Sequence, residues 1–242
     1  MSEENKRSIR ISVRNLVEFV LRSGDIDNRR SGNAQKDAML AGGRIHRKIQ
    51  KRMGSGYRAE VPLKHEVTDD EQEIVLSVEG RADGIFTENG ITVIDEIKGM
   101  YTDVARLEAP IEVHLAQAMC YGYFYCCDKD LDGIRLQLTY CNLETEEIRR
   151  FQTDRSKEEL EQWFSGVVHE YFKWARYLYH HELTRDASIR NLEFPYPYRE
   201  GQRDLVVSVY RTISRKKRLF IQAPTGIGKT LSTVKSCSAS SC

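Results

Sequence analysis

Three ionisable side chains gather in the stretch GRADGIFTENGITVIDEIKG, residues 80–99: Asp83, Glu96 and Lys98. Two β-rich runs flank Asn89-Gly90, a pair that tolerates positive φ and suits a two-residue hairpin turn. With those two residues as the loop, antiparallel pairing sets residue i opposite residue 179 − i, which puts Asp83 across from Glu96. Side chains alternate along a strand, so Lys98 shares their face while Asp95 and Ile97 point the other way. Carboxylates facing each other across two strands repel, and a sequence keeps such a pair where something positive sits between them. Two carboxylates make a hard oxygen site that suits Mg²⁺ or Mn²⁺ better than zinc. An ion held there lowers the pKa of a bound water and screens negative charge developing on a phosphate. Lys98 is then placed to orient the attacking water or to stabilise the pentavalent transition state. The same spacing also fits a surface ion pair of Lys98 with Glu96 or Asp83, worth under about 1 kcal/mol.

Two further groups bear on that choice. Gly43-Arg44-Ile45-His46 places a histidine late in a basic helical stretch, where a neutral imidazole can complete a metal shell. Gln117-Ala-Met-Cys-Tyr121 sets an amide and a phenol at i and i+4 on one helix face, both able to hydrogen-bond a phosphate or a base. Taken singly, His46 also reads as a packed or solvated histidine, and the Gln117/Tyr121 pair is a weaker signal still.

The elements that must position these groups follow from periodicity. Ile11, Val13, Leu16, Phe19 and Val20 recur at helical spacing, predicting a helix over 9–22 that stops at Ser23-Gly24-Asp25. A second helix is expected over 33–53; Gly42-Gly43 in its middle costs helix propensity and suggests close approach by another part of the structure. Strands are expected at about 58–67, 73–86 and 91–98, then a helix over 110–126 and a strand pair at 134–141 and 147–152. Ser156 with Glu159 reads as a capping box opening a long helix to about Leu183, whose aromatic stripe (Trp163, Phe164, Tyr171, Phe172, Trp174, Tyr177) reads as core packing. Helices thus bracket a mixed sheet in an α/β architecture.

Composition narrows the class. The 242 residues are 40% hydrophobic and 30% charged, with net charge +1. No apolar run reaches the ~18–20 residues of a membrane span and no signal-peptide core is seen, so a cytoplasmic protein without a membrane partner is expected. The small net charge conceals an asymmetry: residues 1–58 hold 14 Lys/Arg against 6 Asp/Glu, and residues 60–108 hold 4 against 13. A basic flank beside an acidic pocket suits a site that grips a polyanion while holding cations, and equally two solvated faces of opposite sign. The six cysteines form no C-x-x-C pair and read as reduced thiols.

In their order along the chain, these motifs resemble the RecB-type nucleases of the PD-(D/E)XK superfamily. That family runs from a helix with G-x-x-H, to an Asp on one strand, D/E-x-K on the next, and a helix with Q-x-x-x-Y. Here those positions are Gly43 with His46, Asp83, Glu96 with Lys98, and Gln117 with Tyr121, over residues 9–182. The resemblance implies a restriction-endonuclease-like mixed sheet flanked by helices, with His46, Asp83 and Glu96 binding Mg²⁺ or Mn²⁺, Lys98 catalytic with the two acids, and Gln117 and Tyr121 contacting DNA. Members with an iron–sulfur cluster carry a cysteine ahead of the nuclease core. This chain has none before Cys120, so no such cluster is expected.

A second signal lies downstream of a linker around Glu193–Tyr198. After a short helix at about 200–214, a strand is expected over Leu219–Ala223, running into the glycine-rich loop Pro224-Thr-Gly-Ile-Gly-Lys-Thr230. The A-x-T-G-x-G-K-T form resembles motif I of superfamily 2 helicases, and Pro197-Tyr-Arg-Glu-Gly-Gln202 resembles the adenine-reading segment of the DinG and XPD kind. The resemblance implies nucleotide-binding roles for Gln202, Gly226, Gly228, Lys229 and Thr230. Only twelve residues follow Thr230, no Walker B carboxylate is present, and the terminal Ser/Cys run reads poorly as a helix. The expectation is a nuclease domain over 1–190 followed, over 191–242, by the first strand and P-loop of an incomplete helicase domain. ATP would then serve only a full-length parent. A DNA-binding module that does not cut is the alternative.

Overall fold

Ile9 and Ile11 obey two periodicities at once, and the shorter one wins. The computed structural model describes residues 6–22, 32–71, 73–190 and 196–240. In it the expected first helix is a strand, β1 (Arg7–Ser12), followed by a shorter helix, α1 (Val13–Val20). β-branched Ile9 and Ile11 suit a pleated surface. Ser12 ends the strand by capping the helix, its hydroxyl accepting from the Asn15 amide at 3.1 Å. The proposed stop at Ser23–Asp25 lies outside the described residues.

The remaining elements of the first part of the chain follow the expected order: α2 (Gly32–Arg52), β2 (Arg58–Thr68), β3 (Ile74–Glu88), β4 (Ile91–Met100), α3 (Glu112–Lys129), β5 (Gly133–Asn142), β6 (Ile148–Ser156) and α4 (Lys157–Arg190). Asn89 and Gly90 both have positive φ (52° and 81°), as a primed hairpin turn requires. The register is the expected one, from Glu88↔Ile91 to Gly84↔Asp95. Ser156 and Glu159 exchange the two reciprocal hydrogen bonds of a capping box. The aromatic stripe of α4 divides: Phe164 and Phe172 are buried, whereas Trp174 and Tyr177 are more than half exposed.

The six strands among the described residues form one mixed sheet in which β3 pairs with β1, β2 and β4. β2 pairs antiparallel along one edge of β3, from Val75 to Ile85. The opposite edge is divided. β1 runs parallel to Ile74–Glu79, and β4 runs antiparallel to Gly84–Glu88. Between these partners, residues 80–83 face a fork where the sheet splits. β5 lies parallel to β4, and β6 antiparallel to β5.

Alternation along β4 assigns the helices to opposite faces. Ile97 packs with Ile45 and Ile49 of α2 and with Cys141, while Lys98, the next residue, reaches Gln117 of α3. The close approach suggested by Gly42-Gly43 exists at Gly42, whose Cα lies 3.5 Å from where a Cβ on Gly99 would sit. Cys120, Cys126 and Cys141 are buried free thiols. No helix among the described residues is long and apolar enough to cross a membrane.

The chain forms two compact units, Met1–Trp174 and Ala175–Cys242. Within the second are α5 (Gln202–Ser214) and α6 (Lys229–Ser240), joined by a loop. Two expectations fail here. Residues 217–224 form no strand, and Phe220 is 94% exposed. A strand needs a neighbour for its backbone groups, and none is present among this unit's described residues. The Ser/Cys run, by contrast, is helical as far as Ser240. It contains no Gly or Pro after Gly228, and the Ser232 and Thr233 hydroxyls donate back to the carbonyls of Gly228 and Lys229.

Gly84 shows how closely the hairpin is packed. A Cβ there would lie 1.8 Å from the Tyr57 ring, which crosses it to donate to Asp95 Oδ2 at 3.0 Å. Gly84→Ala is expected to destabilise the chain by about 1–3 kcal/mol, as overpacking does. In urea denaturation, the double variant with Tyr57→Ala should cost less than the sum of the two single changes, because removing the ring removes the clash.

Candidate functional site

The candidate site sits in the fork of the sheet. Beyond the Gly84↔Asp95 pair, β3 and β4 no longer exchange backbone hydrogen bonds, and the Ile97 amide loses its ladder partner. Asp83 replaces it: its Oδ2 accepts from the Ile97 N–H at 2.7 Å. Its Oδ1 lies 3.3 Å from His46 Nδ1 on α2. One turn further along α2, Gln50 Nε2 donates to the Asp83 carbonyl at 2.9 Å. Two side chains at i and i+4 on one helix thus fix α2 to the acid.

Glu96, opposite Asp83 in the hairpin register, is only 4% exposed. Its Oε1 accepts from Lys98 Nζ at 2.7 Å, while its Oε2 is buried without a hydrogen-bond partner among the described residues. Lys98 Nζ also donates to Gln117 Oε1 at 2.8 Å. The Lys98–Glu96 contact that the sequence allowed as a surface ion pair is therefore an interior one. Burial pushes the Glu96 carboxyl up to about 7; the Asp83 charge adds to this, and Lys98 opposes it. Burial also disfavours protonated His46, but the hydrogen bond to Asp83 and that group's charge outweigh it and leave the imidazole pKa raised. The ligand atoms of His46, Asp83 and Glu96 do not all lie within 4.8 Å of one another, as three ligands already closed on an ion would.

Gln117 and Tyr121 share a face of α3, as their spacing requires, and both are buried. Gln117 holds Lys98. Tyr121 packs its hydroxyl against β3 in the fork, where a Cβ on Gly80 would meet it at 2.6 Å. Its pKa is raised by burial and then by the charges of Glu96 and Asp83, and a hydrogen bond with the Arg81 backbone works against that rise.

Several residues at the site lie outside the motifs. His114, one turn before Gln117 on the same face, lies 3.3 Å through Nδ1 from the Tyr140 hydroxyl, which also accepts from the Ile111 amide. Burial, then the charges of Lys98 and Arg14, hold its pKa down to about 4. The i, i+3, i+7 spacing of His114, Gln117 and Tyr121 is the signal that could have found it. On the opposite face of β4, Asp95 is fully buried and accepts from Tyr57, Gln137 at 3.0 Å and Thr139 at 2.6 Å. These partners lie 38 to 44 residues away in sequence, so no local pattern announces them.

In the second unit, Gly226 and Gly228 have φ of +87° and +78°, which glycine adopts without strain. Gln202 is buried. Its Oε1 accepts from the Arg199 amide at 3.0 Å, and its Nε2 would lie 2.5 Å from a Cβ on Gly228. Arg199 also donates to the Gly226 carbonyl. Lys229, at the start of α6, donates to the carbonyls of Ala223 (3.0 Å) and Pro224 (2.8 Å). Thr230 beside it is exposed. The five residues expected to bind nucleotide therefore lie around one glycine-rich turn.

No protein-family model matches the chain. Over 40 residues it is 48% identical to MJ0942 of Methanocaldococcus jannaschii, a probable ATP-dependent helicase; the stretch is 16% of this chain and 6% of that protein. The chain thus spans a small part of that relative's length. A crystal structure of SSO0001 aligns with 69% of this chain and 77% of its own, at 18% identity and a TM-score of 0.43.

A raised carboxyl pKa favours folding below the unfolded value and ceases to do so as pH rises through the folded value. The metal-free chain should therefore lose stability through Glu96 between about pH 4.5 and 7. Glu96→Gln removes that loss. At pH 8 in EDTA the variant is expected to be more stable than the parent, with the difference shrinking as pH falls toward 4. Chemical denaturation at both pH values measures the difference.

Proposed function

We propose that residues 1–190 are a divalent-metal-dependent DNA nuclease of the RecB type in the PD-(D/E)XK superfamily. We further propose that residues 191–242 begin a DinG/XPD-like superfamily 2 helicase, so that the nuclease is the N-terminal module of an ATP-dependent motor acting in DNA repair or processing. One observation carries the nuclease reading. A buried glutamate faces a second carboxylate, with one oxygen unpartnered among the described residues and an imidazole and an amine beside them. A hard cation is the partner this donor set fits. His46, Asp83 and Glu96 would hold it, and when bound it would supply Lewis-acid charge at the phosphate and acidify a coordinated water.

This chain's own residues supply the rest. Lys98, steadied by Gln117, sets a fixed positive charge where negative charge grows during in-line attack on a phosphodiester. Tyr121, packed in the fork, shapes the floor beneath the strand to be cut. His46 must shed its proton before it can ligate, so metal uptake is expected to weaken as pH falls. In the second unit, the turn at Gly226–Thr230 would cradle phosphates, with Lys229 leaving the Ala223 and Pro224 carbonyls to reach them.

A non-cutting DNA-binding module of a helicase is the second reading. It is favoured by the ion pair that ties Lys98 to Glu96. Labelled single- and double-stranded DNA incubated with Mg²⁺ or Mn²⁺ and resolved on a gel separates the two. Cleavage by the parent chain, abolished in Lys98→Ala with DNA binding kept, is the expected result. Binding without product under either metal would support the second reading, and equal cleavage by the variant would remove Lys98 from the chemistry.

A further inference from the structure

The row of α2 residues next to the acidic centre is occupied in an unusual way. His46 and Gln50 form one row along the helix and are held by Asp83. The adjacent row, at the same four-residue interval, is Gly43, Arg47 and Lys51, with Arg44 beside it. All three cations are exposed, and none has a carboxylate partner among the described residues. Their neighbours on the far side, Lys48 and Arg52, both turn to Glu146. Among the described residues, Glu146 thus claims Lys48 and Arg52 and leaves Arg44, Arg47 and Lys51 without a carboxylate.

Gly43 is the second observation. A glycine inside a helix is costly, its φ is not in the left-handed region, and a Cβ added there would meet nothing within 4 Å. Packing among the described residues gives no reason for it. A ligand that passes close to the helix backbone would.

We infer that the row Gly43–Arg44–Arg47–Lys51 is the track along which the sugar–phosphate backbone of a DNA strand runs into the Asp83/Glu96 centre. The inference rests on the nuclease reading of that centre. The row is about 12 Å long, comparable to the rise of three or four nucleotides of one strand at ~3.4 Å each. Arg44, Arg47 and Lys51 neutralise phosphates, and the bare Cα of Gly43 lets the strand pass beside His46. A polyanion is what this surface complements: three exposed positive charges close together on the helix, without a carboxylate partner among the described residues, beside acids that would repel it without an intervening cation.

Binding of a fluorescein-labelled single-stranded DNA is measured by anisotropy in EDTA across a range of salt concentrations. The Arg44→Gln/Arg47→Gln/Lys51→Gln variant is expected to lower the slope of log K against log[salt] by roughly 2, about 0.7 for each phosphate no longer neutralised. Gly43→Leu is expected to weaken binding several-fold with the slope kept. A control variant, Lys64→Gln/Lys129→Gln/Lys173→Gln, has the same charge change but removes cations paired with Glu66, Asp128 and Glu170. It should leave the slope as it was. Should the triple variant fail to fold, each single substitution is expected to lower the slope by about 0.7. Equal slopes for the parent and the α2 variant, or equal reductions in the α2 and control variants, would overturn the track. So would a drop in affinity for RNA with the DNA slope unchanged. Cleavage is scored separately on the same preparations. A parent that binds through this row but never cuts would sink the nuclease reading and leave the track standing; a parent that cuts with an unchanged slope in the variant would do the reverse.

Discussion

The candidate site depends on a break in one hydrogen-bonded edge. β1 and β4 share the same side of β3 but stop short of each other, so among the described residues no strand lies beside residues 80–83 there. A buried backbone donor left unpaired costs about 1–3 kcal/mol, and the Ile97 amide would be such a donor. Asp83 takes it with its carboxylate, which fixes that side chain in the fork rather than leaving it on a solvated strand face. Tyr121 fills the remaining space against Gly80 and Arg81. Pairing that continued through the fork would have left no room for either group.

Charge in the fork is balanced, but only just. Glu96 gives one oxygen to Lys98 and leaves the other unpartnered among the described residues, while His46 answers Asp83 from the other side. Burial makes each pairing stronger and each failure to pair more expensive. Lys98 is limited in where it can go because Gln117 accepts from it. Below the site, Asp95 with Tyr57, Gln137 and Thr139 makes a fully paired cluster that holds β4 to β5 and to the residues following α2. The acidic strand is thus restrained from both faces, with Glu96 tied through Lys98 to Gln117 of α3.

What could be read from the sequence was local. Asn89-Gly90 carried the hairpin and its register, and hence the opposition of Asp83 and Glu96. Ser156 and Glu159 carried the start of α4. The 117/121 spacing placed both side chains on one face, although nothing in it foretold that Gln117 would bind Lys98 or that both residues would be buried. The errors were of another kind. Ile9–Ser12 became a strand because β3 offered it an edge 67 residues away, which periodicity within a short window cannot register. Leu219–Ala223 has strand composition but no neighbour among the described residues of its unit. The fork, the Tyr57–Asp95 contact and the approach of His114 to Tyr140 all come from pairings across long stretches of chain, and these are visible only once the sheet is assembled.

Metal uptake tests the reading of this centre most directly. Mn²⁺ is titrated into the parent chain, Glu96→Gln and Asp83→Asn at pH 8, with free Mn²⁺ followed by electron paramagnetic resonance. Saturable binding by the parent, abolished or strongly weakened in both variants, is the predicted result. Equal Mn²⁺ uptake by all three chains, or none by the parent, would contradict the view that these two carboxylates hold a divalent cation.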